Sequence, residues 1–518
     1  MASPSRLTSR SLVPAFAAFA VVACFEGRAS ARDVDVATAD ALAAAITAAA
    51  PGDVIILAAG TYKSTGFSCR ASGTEAAPIV VRSATPLAAK VQLDALEGFH
   101  VTGAYWHFEG LDITGVCADD SSCEHAFHVT GAADGFVMRG NRIFDFNAQL
   151  KVNADKDAGG VFRQSTGGLV EGNEIGDSHA RATSNPVTKL NIDTGIGWVV
   201  RANYIHDAHK NGGDGVSYAS FMKSGGRDGV YERNLVICSK DDATGGTRIG
   251  LSFGGGGTAP QYCAPSYDAA VPCAIEHSSG TMRNNVIVNC SDVGIYLNRS
   301  KGTKLLYNTL IATNGIDFRF DTTSGEADGN VLASKIRTRD GGAFTAGLNL
   351  EGVPDTDFAA WYVAPLSGDL RKRGDLASLL QKGAARAEVV DDYCARKRSD
   401  ARLDLGALES TLGDCDTTRP PWGGAVSPGD AGSGDGGGTD TGIAPGGDAG
   451  TSDAGDAASP DAANDGGTSV GAESPDASDA AAASSGCGCR AAPRGEASGA
   501  ATLYAIVAAI VTLGRRRR

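Results

Sequence analysis

Apolar and polar residues alternate along this chain in short runs, such as Phe136-Val137-Met138 and Gly294-Ile295-Tyr296-Leu297, with Gly or Asn at the ends of the runs. Alternation over so few residues predicts short β-strands joined by tight corners. The exception lies near the start. From Thr38 an Ala-rich stretch predicts a short amphipathic helix, followed by Pro51-Gly52-Asp53 and the strand Val54-Ile55-Ile56-Leu57. A second regularity runs through the middle of the chain. Gly-Asn-Arg-Ile at 140–143 returns as Gly-Asn-Glu-Ile, Ala-Asn-Tyr-Ile, Arg-Asn-Leu-Val, Asn-Asn-Val-Ile, Tyr-Asn-Thr-Leu and Gly-Asn-Val-Leu. The asparagines fall at 141, 173, 203, 234, 285, 308 and 330, with spacings of 32, 30, 31, 51, 23 and 22.

Repeats of this length, each carrying short strands, predict the coils of an all-β solenoid, a right-handed parallel β-helix. The spacing of 51 fits a coil with an inserted loop around Cys263 and Cys273. Asparagine tolerates the left-handed conformation of a sharp corner. In coils stacked ~4.8 Å apart its amides also hydrogen-bond along the axis, so the column reads as structural. The predicted helix followed by PGDVIIL and Gly60-Thr61-Tyr62 resembles the N-terminal cap of bacterial right-handed parallel β-helices, where it covers an open sheet edge. Asp392-Tyr393-Cys394-Ala395-Arg396 with Asp404-Leu405-Gly406-Ala407-Leu408-Glu409 resembles the D-x-x-G-R and D-I-G-A-x-E ending of such proteins, with Ala395 in place of Gly, and implies a C-terminal closure. The expected limits are 32–97 for the cap and first coils, 98–340 for the repeats and 341–416 for the closure.

Composition sharpens this picture. Among 518 residues there are 69 glycines and only 6% aromatics, which suits many turns and few helices. The net charge is −14, but eleven acidic residues and no Lys or Arg lie between Pro421 and Cys489. The acidity therefore belongs to a Gly/Ala/Ser/Asp/Pro-rich linker, 417–486, without apolar periodicity. From Gly160 to Phe320 the chain has 15 basic and 14 acidic residues, so no basic field for nucleic acid exists.

Residues 1–31 read as a secretory signal, with Arg6 and Arg10, the apolar Leu12–Phe25 and cleavage after Ala29-Ser30-Ala31. Val21-Val22-Ala23-Cys24 also resembles a lipoprotein box. Export favours disulfides over metal for the 12 cysteines. Spacing suggests Cys117–Cys123, Cys263–Cys273 and Cys394–Cys415, a pairing of Cys238 with Cys290, and Cys69 left over. Gly486-Cys487-Gly488-Cys489, the apolar run Ser498–Gly514 and four terminal arginines resemble the myxobacterial C-terminal sorting tail (MYXO-CTERM) over 487–518. That resemblance implies attachment to the cell envelope and display at the surface; a plain membrane anchor leads to nearly the same place. The protein is expected to act as a monomer.

Counting back from each asparagine picks out a column of outward residues: Arg163, Asp193, Lys223 and Asn298, with Arg248, Glu276 and His277 on the long coil. Phe221-Met222-Lys223-Ser224, then Val230-Tyr231-Glu232-Arg233-Asn234, then Arg248 resemble the catalytic region of polysaccharide lyase family six, which holds chondroitinase B and alginate lyases. The resemblance implies Lys223 as base and Arg248 as partner cation. Arg163, Asp193, Glu276, His277 and Asn298 would line subsites for an acidic polysaccharide. In that family acidic calcium ligands stand five and seven residues before the lysine. Here those positions hold Tyr218 and Val216, so no cofactor is expected, with calcium as the alternative that the resemblance leaves open, and no metal ligand is assigned. No Cys/His spacing resembles a zinc site. His206-Asp207-Ala208-His209 reads as a solvated turn. The function implied is lyase-like β-elimination, with non-catalytic carbohydrate binding or adhesion as the alternative.

Overall fold

The computed structural model describes residues 31–398 and 401–418. The expected signal up to residue 30, the linker beyond Thr418 and the sorting tail lie outside the described residues. Among the described residues three long parallel sheets of twelve, eleven and ten strands run side by side, each coil adding one strand to each sheet. This is the parallel β-helix that the repeats predict.

The coils stack because each contributes an apolar side chain at the same inward position of every sheet. In the twelve-stranded sheet Val81, Phe108, Met138, Val170, Val200, Tyr231, Met282, Leu305 and Ala327 follow one another in register, all fully buried. In the eleven-stranded sheet Ile113, Ile143, Ile175, Ile205, Val236, Ile287, Leu310 and Leu332 do the same. The ten-stranded sheet stacks Phe67, Phe99 and Phe127 with ring centroids 4.9 and 5.1 Å apart, then continues through Leu150 and Leu190. Each such side chain contributes roughly 1.5–3 kcal/mol by leaving water. Ser220 interrupts that column, and its hydroxyl is satisfied by Tyr231 Oη at 2.7 Å and the Leu190 carbonyl at 3.1 Å.

Helix α1, Ala39–Thr47, closes the first coil. Thr38 caps it by accepting from the Ala41 amide at 3.2 Å, and Leu42 and Ile46, one turn apart, bury against the core. The C-terminal segment behaves differently from the end closure its motif implied. Helix α2, Asp355–Trp361, and the chain after it lie along the flank of the coils. Phe358, Tyr362, Leu370, Leu376, Leu379, Tyr393 and Leu405 cover outward apolar residues of the eleven-stranded sheet, among them Leu235, Ile237, Val286 and Ile311. Its motif residues act on one another: Arg396 donates to Asp392 and Arg398 pairs with Glu409 at 3.2 Å. Cys117–Cys123, Cys238–Cys290, Cys263–Cys273 and Cys394–Cys415 are disulfides, and buried Cys69 is free.

The asparagine column forms a continuous ladder. From Asn141 through Asn173, Asn203, Asn234, Asn285, Asn308 and Asn330 each Nδ2 donates to the Oδ1 of the next at 2.9–3.1 Å, and Asn349 extends the series by one. The same Oδ1 also accepts the preceding ladder residue's amide, as Asn203 does from Asn173 at 3.0 Å. The left-handed residue is not the asparagine. It is the one before it: Gly140, Gly172, Ala202, Arg233, Asn284, Tyr307 and Gly329, with φ between 52° and 75°. The asparagine's task is to satisfy the corner's backbone groups, which explains why residues as unlike as Ala and Tyr precede it. Asn203→Ala leaves the Asn173 amide and one Nδ2 hydrogen of Asn173 without their acceptor in a dry interior, and takes one of its two donors from Asn234 Oδ1. It is expected to cost about 3 kcal/mol or more, read as a lower urea midpoint.

Candidate functional site

The outward face of the ten-stranded sheet carries the expected column. Asp193 lies opposite Lys223. Met222 opposite Phe253 and Phe253 opposite Leu297 place Asn298 two coils further on. Arg319 and Arg339 continue the same column. Counting from the asparagines found these positions because strand and corner lengths are constant across these coils.

Lys223 ends the strand Val216–Lys223. Its Nζ donates to the Gly257 carbonyl at 2.9 Å and stands 4.7 Å from the centre of the Phe221 ring. Lys151, two coils earlier, ion-pairs with Asp193 and donates to Asn191 Oδ1 at 3.1 Å. Burial would raise the Asp193 carboxyl, but Lys151 and Lys223 outweigh it and hold the group below the usual carboxylate range. Asp193 also accepts from Ser224 Oγ at 3.0 Å, and Ser224 Oγ lies 2.9 Å from Thr258 Oγ1.

Glu276 completes that network from inside. It is fully buried and accepts from the Ser224 amide at 3.0 Å, the Thr258 amide at 2.7 Å and Thr258 Oγ1 at 2.6 Å. Burial pushes its carboxyl up. Its role is to pin the glycine loop after Phe253 to the Ser224 corner. Asn298, also buried, pins the same loop by donating to the Gly255 carbonyl at 2.8 Å. The loop approaches so closely that a Cβ on Gly254 would fall 1.8 Å from the Asn298 carbonyl oxygen. Gly254-Gly255-Gly256-Gly257 is therefore the lining of this corner, and Tyr267 of the inserted loop stacks on Phe162 at 4.0 Å beside it.

Two expected subsite residues and the expected partner cation stand elsewhere. His277 is fully buried, stacked on Phe253 at 4.1 Å, and neither ring nitrogen has a hydrogen-bond partner. Burial pushes it down to about 3, so it is a neutral core residue. Arg163 belongs to a hairpin with Asp155–Lys156, outside the column, and its Nε donates to exposed Asp157 at 2.8 Å. Arg248 is displaced furthest. It lies opposite Ser217, six residues before Lys223, or about 20 Å along the strand direction. Its buried guanidinium donates to the Thr244 carbonyl at 2.7 Å, the Cys238 carbonyl at 3.3 Å, the Asp242 carbonyl and Ser239 Oγ, and pairs with the Asp242 carboxylate at 3.4 Å. It closes the 238–244 turn and cannot serve as partner cation to Lys223. Arg248→Met is expected to destabilise the fold by about 3–5 kcal/mol, measured by urea unfolding, because several carbonyls lose their donor at once.

The cation that does stand beside Lys223 is Arg299. Lys223 holds the Gly257 carbonyl, and a Cβ on Gly257 would lie 3.9 Å from Arg299 Nη1. Arg299 takes a left-handed turn (φ 50°) directly after Asn298 and rests on the Phe320 ring at 4.3 Å. The sequence signal was the cation that directly follows the outward-column residue Asn298. The region where calcium ligands would stand does not fit that ion: Tyr218 packs with Phe221, Ile249, Val293 and Tyr296, with Val216 against them. His206 and His209 are buried rather than solvated. His206 is 2.8 Å from Asp207, and His209 2.9 Å from Thr244 Oγ1. Further along the sheet face, ligand atoms of Glu97, His125 and His128 converge within 4.8 Å of one another.

Residues 36–149 match the Chondroitinase B family model. Over 88 residues the chain is 38% identical to pectate lyase L of Dickeya chrysanthemi. That alignment covers 14% of this chain and 20% of the enzyme, so the chain spans only about a fifth of that relative's length. The fold is shared with pectate lyase Pel9A, at a TM-score of 0.51 and 15% identity over 73% of this chain and 97% of that one. The chain resembles the β-helical polysaccharide lyases. The family match ends before Lys223, so the roles of the lyase-like corner rest on its own geometry.

Proposed function

We propose that the protein acts on an acidic polysaccharide laid along the outward face of the ten-stranded sheet, with β-elimination at the Lys223 corner. The observation that carries this reading is the pair of basic side chains, Lys223 and Arg299, that flank Gly257 where the strand Val216–Lys223 ends. Lyase chemistry removes the proton beside a uronate carboxylate while the glycosidic oxygen two bonds away departs, leaving a carbon–carbon double bond. Arg299 would neutralise the carboxylate, which makes the adjacent proton acidic; Lys223 would take that proton on its Nζ lone pair and pass it, directly or through water, to the departing glycosidic oxygen. Asp193, held by Lys151 and Ser224, would fix the position of Lys223 from the preceding coil. Arg319 and Arg339 would meet further carboxylates along the same column. No step passes through calcium.

A second reading, binding without cleavage, is favoured by the apolar packing of Val216 and Tyr218 where the lyases resembled place acidic ligands. One experiment separates the two. The purified chain is incubated with alginate, chondroitin or dermatan sulfate, and pectate, with and without calcium, and the ultraviolet absorbance of unsaturated uronate is followed. A rise on one polymer is the expected result. A flat trace with retarded migration of the protein through one polymer in affinity electrophoresis moves it to the binding class.

Export and display at the cell surface form part of the same proposal, supported by the signal-like residues 1–31 and the sorting-tail pattern at 487–518. Proteolysis of intact cells is expected to remove the β-helix from the cell fraction.

A further inference from the structure

Two coils before the Asp193 coil, the same sheet face carries a pattern that no local spacing announces. Glu97-Gly98-Phe99-His100 and His125-Ala126-Phe127-His128 lie on neighbouring coils, with His125 opposite Glu97 and His128 opposite His100. Phe99 and Phe127 point into the core and leave the polar members of both segments partly exposed on the outer face. His128 Nδ1 is 2.6 Å from Glu97 Oε1, and its Nε2 is 2.7 Å from Asn153 Oδ1.

The orientation of Asn153 matters. Its Nδ2 donates to the Ala154 carbonyl at 3.1 Å, so its oxygen faces the imidazole and His128 presents N–H at Nε2. In the neutral ring Nδ1 is then the lone-pair nitrogen, and it points at a carboxylate. Two electron pairs at that distance repel unless a cation joins them. A proton would join those two and leave His125 unexplained. His125 Nδ1 is buried with no hydrogen-bond partner, although it belongs to the group whose ligand atoms lie within 4.8 Å of one another. A metal ion accounts for all three residues. His100 stands at the rim, stacked on His128 at 5.4 Å with Nδ1 3.8 Å from Glu97 Oε2.

We propose that Glu97, His125 and His128 bind a divalent transition-metal ion of the zinc class. Two imidazoles and one carboxylate are borderline donors that suit zinc or cobalt and offer too few oxygens for calcium. Asn153 is the outer group that fixes the ligating nitrogen of His128. Three protein ligands leave a coordination position open, and Lys151, directly opposite His128 on the next coil, places that position at one end of the groove. The site is independent of the lyase reading.

The test uses the full chain, equilibrated with zinc, freed of excess by dialysis and analysed for bound metal. The chain is expected to hold one zinc more than the His125→Ala/His128→Ala double variant, while His179→Ala, on another part of the surface, keeps the full content. Asn153→Ala is expected to weaken zinc binding about 10–100-fold without abolishing it. Cobalt substitution covers the case of a variant that does not fold. The wild-type chain is expected to show visible ligand-field bands that lack the near-ultraviolet thiolate charge-transfer absorption that Cys487 or Cys489 would produce. Equal zinc content in the wild type and a folded double variant overturns the proposal, as does a cobalt spectrum carrying thiolate bands only.

Discussion

Lys223→Ala is expected to lower the rate of β-elimination by about 10²–10⁴-fold, the usual contribution of a positioned general base. The substitution removes the lysine amine that donates to the Gly257 carbonyl, where Arg299 also stands, and it leaves the sheet's inward columns untouched. Stability should therefore change little, and a circular dichroism melt serves as the control. Arg299→Ala should act in another way. In the proposed mechanism its guanidinium would meet the substrate carboxylate before and during reaction, so KM is expected to rise as kcat falls. Arg248→Met, by contrast, should lose stability while its folded fraction keeps normal kcat and KM. That contrast distinguishes the partner cation proposed here, Arg299, from the one implied by the sequence resemblance, Arg248. A Lys223→Ala chain that cuts as fast as the wild type would remove Lys223 from the chemistry.

A comparably large effect is expected at the buried pair Asp177 and Lys189, both fully enclosed. Lys189 Nζ pairs with the Asp177 carboxylate and donates to the Phe146 carbonyl at 2.9 Å, while Gln149 Nε2 reaches Asp177 Oδ1 at 3.4 Å. Burial drives the carboxyl up and the amine down, each towards its neutral form, and their mutual attraction opposes both shifts. Asp177→Leu leaves an ammonium without its counter-ion in a dry place and is expected to cost about 3–5 kcal/mol. Lys189→Met should cost somewhat less, because Asp177 can take up a proton. The double variant Asp177→Leu/Lys189→Met is expected to recover most of the loss. Urea unfolding of the four proteins forms the cycle, and additive losses would show that the two groups do not interact.

The architecture was legible because a β-helix writes its repeat directly into the sequence. Ladder asparagines at near-constant spacing gave the coil length, and with it Asp193, Lys223 and Asn298 fell on one column. Reasoning failed where coil length changed. The insertion between Phe253 and His277 turns Glu276 and His277 inward beneath the loop, while Arg248, which precedes it, misses the corner because it stands early in its strand, opposite Ser217. The left-handed corner was expected at each asparagine and belongs to the residue before it, since side-chain amide and backbone strain are separate devices on neighbouring residues. Arg299 escaped notice because the glycine loop, whose path no spacing reveals, is what brings it next to Lys223. The Glu97, His125 and His128 cluster was hidden for a similar reason: it exists only once two coils are stacked.

The ladder carries an evolutionary consequence. Successive rungs join residues 51 apart across the long coil and 19 apart at the last rung, with the same Nδ2-to-Oδ1 distance of 2.9 Å. The framework is thus indifferent to how much chain intervenes between rungs, provided that the excess leaves at a corner. Lineages descending from such a scaffold can lengthen, shorten or exchange the loop between Phe253 and His277 without renegotiating the core. New specificities should accordingly arise by insertion at the corners bordering the ten-stranded sheet, while the rungs themselves drift least.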